Sequence, residues 1–167
     1  MTTTDFSTSY SVNQSPKEVF DAVTNVRGWW SEEIDGGTAK LDDEFYYHYK
    51  DVHQSWMKLV EVIPQKKIVW LVKDNHFSFT HDKSEWRGTH VVFEITPLNG
   101  KTELRFTHVG LVPEYECYEV CQEGWSNYIN HSLRNLIEQG KGQPNPKEGG
   151  FNAEIVKKWK LNKTITS

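Results

Sequence analysis

The sequence predicts an α+β domain in which an antiparallel sheet curves around one long C-terminal helix. Residues 44–109 hold five closely spaced segments of strand character joined by hairpin turns, a spacing that favours an antiparallel sheet over a parallel one. From Tyr118 to Leu136 the apolar residues instead recur every three or four positions, as on one face of a helix. With a strand near the N-terminus, we expect a sheet of about six or seven strands.

The chain opens with a strand and a capped helix. Residues 6–12 alternate apolar and polar side chains, which predicts the first strand. Ser15, Pro16 and Glu18 then form a capping-box pattern, in which Ser15 caps the first helical N–H groups and Glu18 reaches back to it. We therefore expect a short helix from Pro16, followed by a further helical turn over residues 26–30.

The middle of the chain has the composition of strands and hairpins. Asn99-Gly100 is a strong hairpin signal, because both residue types tolerate positive φ. Residues 74–85 fit either a short strand or a long loop at the mouth of a cavity. The predicted strands cover residues 44–51, 55–63, 68–73, 87–96 and 102–109.

The last long helix is amphipathic and ends at Gly140. Gly124 interrupts its pattern and costs roughly 1 kcal/mol relative to Ala. It predicts either close packing on the sheet or a helix start or kink at that position. We take residues 1–142 as the domain and residues 143–167 as a C-terminal tail.

The tail differs from the domain in charge. The whole chain carries a net charge of −4, whereas residues 143–167 hold five Lys and two Glu, so the tail carries +3 and the rest −7. A tail of opposite sign is expected to lie on the body, with a membrane or an acidic partner as the alternative. Phe151, Ile155 and Trp159 lie four apart, which predicts one short docked helix, and residues 162–167 are expected to be disordered.

Composition argues against several classes of function. A net charge of −4 implies no basic face for nucleic acid, and no apolar run approaches the roughly 18 residues of a membrane span. No basic start followed by an apolar run marks a signal peptide. Cys117 and Cys121 lie four apart, which suits neither a mutual disulfide nor a standard zinc pattern. We expect reduced thiols, a cytoplasmic protein, and neither metal nor cofactor.

Five landmarks occur along the chain in a characteristic order. They are SPKEVF at residues 15–20, the pair Trp29-Trp30, LVEVIP at residues 59–64, TELRFTHVG at residues 102–110, and Gly124-Trp125 followed by Leu133, Leu136 and Glu138. In this order they resemble the heat-shock protein 90 ATPase activator homologue-like family of the START-like (SRPBCC) superfamily. The resemblance implies a helix-grip fold that encloses a cavity. It implies no particular reaction, since one fold can host many functions.

Alternation along the strands predicts which side chains face the concave side of the sheet. In the central strand Glu61 is placed outward. Val60, Val62 and Trp56 then point inward. Each inward residue either lines an open cavity or fills the core. The candidate ligand-binding residues are Trp29, Trp30, Tyr47, Tyr49, Trp56, Trp70, Phe93, Phe106, His108, Trp125 and Tyr128.

Two features of this set are singled out. A neutral imidazole at His108 can hydrogen-bond a ligand or act as a base, and the alternative is a histidine bonded to a backbone carbonyl or a neighbouring Tyr. Of Trp29 and Trp30, one is expected in the core and the other is a candidate gate at the cavity entrance.

Three functional hypotheses follow. The first, which we favour, is a non-enzymatic protein that binds a small apolar or aromatic molecule in an internal cavity, as a monomer or a homodimer. The second is an enzyme of the cyclase or dehydratase kind, with His108 and a Tyr as acid and base. The third is a protein-interaction module, by analogy with the co-chaperone from which the resembled family takes its name, and it predicts an exposed apolar or charged patch on the outer face of the sheet.

Overall fold

Seven antiparallel strands form one curved sheet in the order β1-β7-β6-β5-β4-β3-β2. The computed structural model describes residues 5–146 and 150–161, so the disorder expected at residues 162–167 lies outside the described residues. The strands are β1 (Phe6–Val12), β2 (Ile34–Gly36), β3 (Glu44–Tyr49), β4 (His53–Ile63), β5 (Lys67–Phe77), β6 (His90–Leu98) and β7 (Lys101–Val109). The predicted α+β class with an antiparallel sheet is confirmed.

The sheet wraps around a C-terminal helix of 22 residues that contains a π-helical stretch. Gly124 lies buried inside this helix and does not break it. The helices are α1 (Pro16–Thr24), a 3-10 turn (Val26–Gly28), α2 (Tyr118–Asn127), the π-helical segment (Tyr128–Leu133), α3 (Arg134–Gln139) and α4 (Gly150–Trp159). Two short helical elements, α1 and the 3-10 turn, follow β1, and the long helix from α2 to α3 follows β7, as the predicted helix-grip arrangement requires. Helix α4 lies in the segment where a short helix is predicted.

Local sequence signals explain two of the boundaries. The Glu18 N–H donates to Ser15 Oγ at 3.2 Å, and the Ser15 N–H donates to Glu18 Oε1 at 3.3 Å, so the capping box is confirmed. Asn99 and Gly100 have φ of 54° and 79°, the positive values that a tight turn between β6 and β7 requires. The predicted hairpin is therefore confirmed as well.

A bulge in β4 reverses which side chains face the core. The register between β4 and β5 shifts between Leu59 and Glu61, so Val60 is an extra residue and the alternation restarts beyond it. Leu59 is fully buried, whereas Trp56 and Val60 are 38% and 37% exposed. The predicted inward orientation of Trp56 and Val60 is wrong, because it assumes strict alternation from Glu61 through the bulge. Val62, beyond the bulge, is partly buried against the core.

Aromatic rings fill the concave side of the sheet. Trp29, Trp30 and Trp70 are almost completely buried, with ring planes within 14° of one another and centroids 5.9–6.2 Å apart. Phe93 meets Trp70 edge-on at 5.0 Å. Ten of the eleven candidate residues are buried, Trp56 being the exception, so the inward orientation of the other ten is confirmed.

Residues 141–146, the strap, fold back across the C-terminal helix. Ser132 lies at the crossing, where its Oγ accepts the Gln143 N–H at 2.7 Å and donates to the Trp29 carbonyl at 2.7 Å. The Asn145 N–H donates to the Trp30 carbonyl at 2.9 Å. The strap is thereby tied both to the helix and to the tryptophan pair.

Replacing Gly142 in the strap by Ala is expected to lower the free energy of unfolding by roughly 1–3 kcal/mol. A Cβ at this position would lie 2.4 Å from the Gly28 carbonyl oxygen and 2.8 Å from that of Ser132, so the backbone must shift. Urea denaturation measures the loss. The exposed neighbour Lys141, replaced by Ala, is expected to change stability by less than about 0.5 kcal/mol. Equal values for the two variants would contradict the close crossing.

Candidate functional site

A small pocket lies between one end of the sheet and the C-terminal helix. Its walls come from the hairpin between β3 and β4, the end of β5 and the loop after it, α2, and α4. Residues 74–85 combine the two predicted alternatives, because β5 continues to Phe77 and the remainder is a loop at the pocket. The aromatic part of the wall consists of Trp30, Tyr49, Phe77, Phe79, Trp86 and Trp125.

The pocket is narrow and uncharged. Its volume is about 60 Å³, which accommodates a few water molecules. Pockets for drug-sized ligands measure roughly 300–1,000 Å³. Among the described residues, no Asp, Glu, Lys or Arg lines it. A ligand of ordinary size therefore requires part of the wall to move.

Helix α4 and the residue Leu161 cover the pocket. Ile155 and Leu161 are 7% and 6% exposed and both line the pocket. On the outer side of α4, Lys158 Nζ lies 2.9 Å from Glu123 Oε1, so a basic residue of the tail does pair with the acidic body. Trp159, which the apolar spacing assigned to the docked face, is 37% exposed.

One end of the pocket is polar, and we call it the polar corner: the hydroxyl groups of Tyr47 and Tyr128 with the side-chain amides of Asn145 and Asn152. Asn152 Nδ2 donates to the Tyr47 hydroxyl at 2.9 Å, and the Tyr128 hydroxyl donates to Asn152 Oδ1 at 2.6 Å. Asn145 Nδ2 donates to the Tyr128 hydroxyl at 2.8 Å. Burial raises the pKa of Tyr47 to about 12 and that of Tyr128 well above its ordinary value, so both hydroxyls stay protonated and uncharged.

His53 also lines the pocket, although it is absent from the predicted set. Its Nε2 lies 2.7 Å from Ser55 Oγ, and the rings of Tyr47, Phe77 and Trp86 surround it. Burial lowers the pKa of His53 to about 3, so the imidazole is neutral at physiological pH. His53 lies on the same face of β4 as the buried Ser55, Met57 and Leu59. Alternation counted from beyond the bulge assigns this face to the outside of the sheet.

His108 is fully buried in the core, with both ring nitrogens occupied. The Thr89 hydroxyl donates to the Trp86 carbonyl at 2.6 Å, so its oxygen accepts from His108 Nε2 at 2.8 Å. The Trp125 indole N–H donates to His108 Nδ1 at 3.1 Å. Burial lowers the pKa of His108 to about 3. The imidazole has no nitrogen left to accept a substrate proton, and its partners are a Thr and a Trp instead of the predicted carbonyl or Tyr.

The predicted residues divide into three groups. Trp30, Tyr49, Trp125 and Tyr128 line the pocket, and Tyr47 belongs to its polar corner. Trp29, Trp70, Phe93, Phe106 and His108 lie in the core behind it, and Trp56 lies on the outer face. Of the tryptophan pair, Trp29 is the core residue, and its indole N–H donates to the Val23 carbonyl at 3.1 Å. Ligand binding by any of these side chains stays a prediction.

Residues 5–146 and 150–161 have three further properties that bear on function. No group of three or more His, Cys, Asp or Glu side chains is placed to hold a metal ion. Cys117 and Cys121 are buried free thiols, and burial raises the pKa of Cys117. In this part of the chain, no helix has the length and apolar character needed to cross a membrane.

Comparison with known proteins places the fold. Residues 13–138 match the family model described as Activator of Hsp90 ATPase homolog 1-like protein. No curated protein matches the chain. The matched residues include β2 to β7 and nearly all of the C-terminal helix, but neither β1 nor α4.

Solved structures share the architecture at low sequence identity. The solution structure of the Aha1 dimer from Colwellia psychrerythraea has a TM-score of 0.66 at 21% identity, covering 83% of this chain and 99% of that one. EF2215 from Enterococcus faecalis, a conserved protein of unknown function, has a TM-score of 0.55 at 15% identity, covering 95% and 86%. DynU16 from the dynemicin biosynthetic locus has a TM-score of 0.60 at 17% identity, covering 81% and 48%. At these identities the likeness concerns the fold alone.

Proposed function

We propose that this chain, a member of the Activator of Hsp90 ATPase homolog 1-like family of the START-like superfamily, binds a small apolar or aromatic molecule. The molecule would lie between the sheet and the C-terminal helix. One observation carries the proposal: the pocket has an aromatic, uncharged wall that ends in a cluster of hydroxyl and amide groups. Small-molecule sites typically combine such apolar walls with a few convergent polar groups.

The site supports binding better than catalysis. Acid–base chemistry of the cyclase or dehydratase kind needs a group whose pKa lies near the working pH. His108 has both nitrogens engaged, and burial holds the pKa of Tyr47 and Tyr128 above the ordinary range. His53 is an imidazole that burial keeps neutral, which suits a hydrogen bond to an uncharged ligand.

Native mass spectrometry of freshly purified protein, followed by a thermal-shift screen of lipids, flavonoids and aromatic acids, tests the proposal. We expect a co-purifying molecule, or a ligand at about 100 times its Kd that adds about 2.7 kcal/mol and raises Tm by about 5–10 °C. Gly124→Leu places a side chain in the pocket and should abolish the shift, whereas Trp56→Ala on the outer face should retain it. An empty protein that no compound stabilises would contradict the proposal.

A second candidate function rests on the outer face of the sheet. Trp56 packs against Tyr46 with ring centroids 4.9 Å apart, and Val60 is exposed on the same side of β4. This is the kind of apolar patch that the protein-interaction hypothesis requires. Pull-down of a chaperone ATPase, with stimulation of its ATP hydrolysis that is lost in Trp56→Ala, would favour this function over ligand binding.

A further inference from the structure

Asn152 occupies the polar corner in the way that a bound ligand would. Both ends of its carboxamide are used, since Nδ2 donates to the Tyr47 hydroxyl at 2.9 Å and Oδ1 accepts from the Tyr128 hydroxyl at 2.6 Å. About one turn further along α4, Ile155 and Val156 line the apolar part of the same pocket. The helix therefore presents an amide group and an apolar body to a site with partners for both.

The groups that receive Asn152 belong to the domain and have further contacts outside α4. The Tyr47 ring, on β3, stacks on Trp30 with centroids 4.2 Å apart and is 1% exposed. The Tyr128 hydroxyl keeps its hydrogen bond from Asn145, which the strap ties to Trp30. A buried hydroxyl that loses its partner is unfavourable. The corner would thus favour a ligand that replaces the amide of Asn152.

The hold of the domain on α4 is limited. The helix has ten residues, fewer than the roughly 12–15 that an isolated helix needs, so its helicity depends on docking. Ile155, at 7% exposure, is its buried side chain, while Phe151 and Val156 are only partly buried against the core. The ion pair between Lys158 and Glu123 is mostly exposed at its lysine end, and such pairs contribute little. Displacement of α4 is therefore within the reach of a ligand that fills the same pocket.

We propose that α4 is a displaceable cover of the ligand site and that Asn152 imitates the polar group of the ligand, an inference that rests on the proposed binding function. The ligand class that follows is a neutral aromatic amide or lactam, with an N–H donor and an oxygen acceptor attached to the same carbonyl carbon. A carboxylate or an ammonium group would find no opposite charge, since no charged side chain of the described residues lines the pocket. Because the ligand binds only those molecules in which α4 is displaced, the measured affinity equals the intrinsic affinity multiplied by the fraction of such molecules.

The test is calorimetric titration of the full chain with naphthalene-2-carboxamide. Asn152→Ala removes the imitating amide, and Ile155→Glu opposes docking because it would bury a charge. Both variants are expected to bind the amide at least about tenfold more tightly than the unaltered protein. Lys157→Glu, on the exposed side of the same helix, should leave the affinity within about twofold. Equal affinity of all four proteins would overturn the cover while leaving the binding function standing.

The ligand class is tested in Asn152→Ala, which adds no charge to the pocket, with two related compounds. N,N-dimethylnaphthalene-2-carboxamide lacks the N–H donor, and naphthalene-2-carboxylate carries a charge. Each is expected to bind at least about tenfold more weakly than the primary amide. The dimethyl amide leaves a buried hydroxyl without a donor, and the carboxylate brings a charge that has no opposite charge in the pocket. Equal binding of the three compounds would overturn the amide assignment. If none binds while the thermal-shift screen yields another ligand, this inference fails and the binding function stands; if that screen is also empty, both fail.

Discussion

Acidification from pH 7 to about 4 is expected to lower the free energy of unfolding by several kcal/mol through the half-buried His53 and the buried His108. Burial lowers the pKa of His53 and His108 from the ordinary 6.5 to about 3. Both are neutral in the folded protein and gain a proton on unfolding, so their contribution is fully present above pH 6.5 and is lost as the pH falls toward 3. Each histidine accounts for about 1.4 kcal/mol per pH unit in this window.

Urea denaturation at a series of pH values measures this loss. Because carboxylates also titrate at the acid end, the comparison with variants isolates the histidines. His53→Gln and His108→Gln should each remove about half of the slope between pH 6.5 and 5. His131→Gln replaces an exposed histidine and should leave the slope unchanged. A slope that persists in full in His53→Gln would show that His53 is not held neutral.

Trp70→Ala is expected to cost about 3–5 kcal/mol of unfolding free energy, against less than about 1 kcal/mol for Trp56→Ala. The two residues lie on neighbouring strands, and the sequence predicts the same inward orientation for both. In the structure Trp70 is 1% exposed and packs between Trp29, Trp30 and Phe93. Trp56 is 38% exposed on the other face of the sheet.

Chemical denaturation of the two Ala variants gives the comparison. If Trp70→Ala does not fold, the pair Trp70→Phe and Trp56→Phe retains the contrast with smaller losses. Similar losses at the two positions would contradict the bulge at Val60, because Trp56 would then share the core with Trp70.

The order of elements was predictable because each boundary has a local cause. The capping box at Ser15, the Asn99-Gly100 turn and the change from strand to helix periodicity near Tyr118 all lie within a few residues of the boundary they set. Strand β2 was not predictable, since three residues offer no periodicity. The π-helical stretch has no comparable local signal, and the sequence pointed to Gly124 instead, where close packing and a helix start or kink were the two alternatives.

The site was predictable only in part, because its geometry depends on long-range contacts. Trp125 and Tyr128 follow from the helical pattern and reach the pocket. The bulge that turns Trp56 outward and His53 inward is a property of the pairing between β4 and β5, which alternation along one strand does not reveal. The role of Asn152 depends on hydroxyl groups more than 20 residues away in sequence.

The measurement that most directly tests ligand binding at this pocket is NMR of the tryptophan indole N–H groups during titration with naphthalene-2-carboxamide or with a compound from the thermal-shift screen. The chain has seven Trp, of which Trp30, Trp86 and Trp125 line the pocket, while Trp56 lies on the outer face. We predict saturable shifts of the three pocket signals and an unchanged Trp56 signal. Saturable shifts of Trp56 with the pocket signals unchanged would contradict the proposed function and favour the outer face.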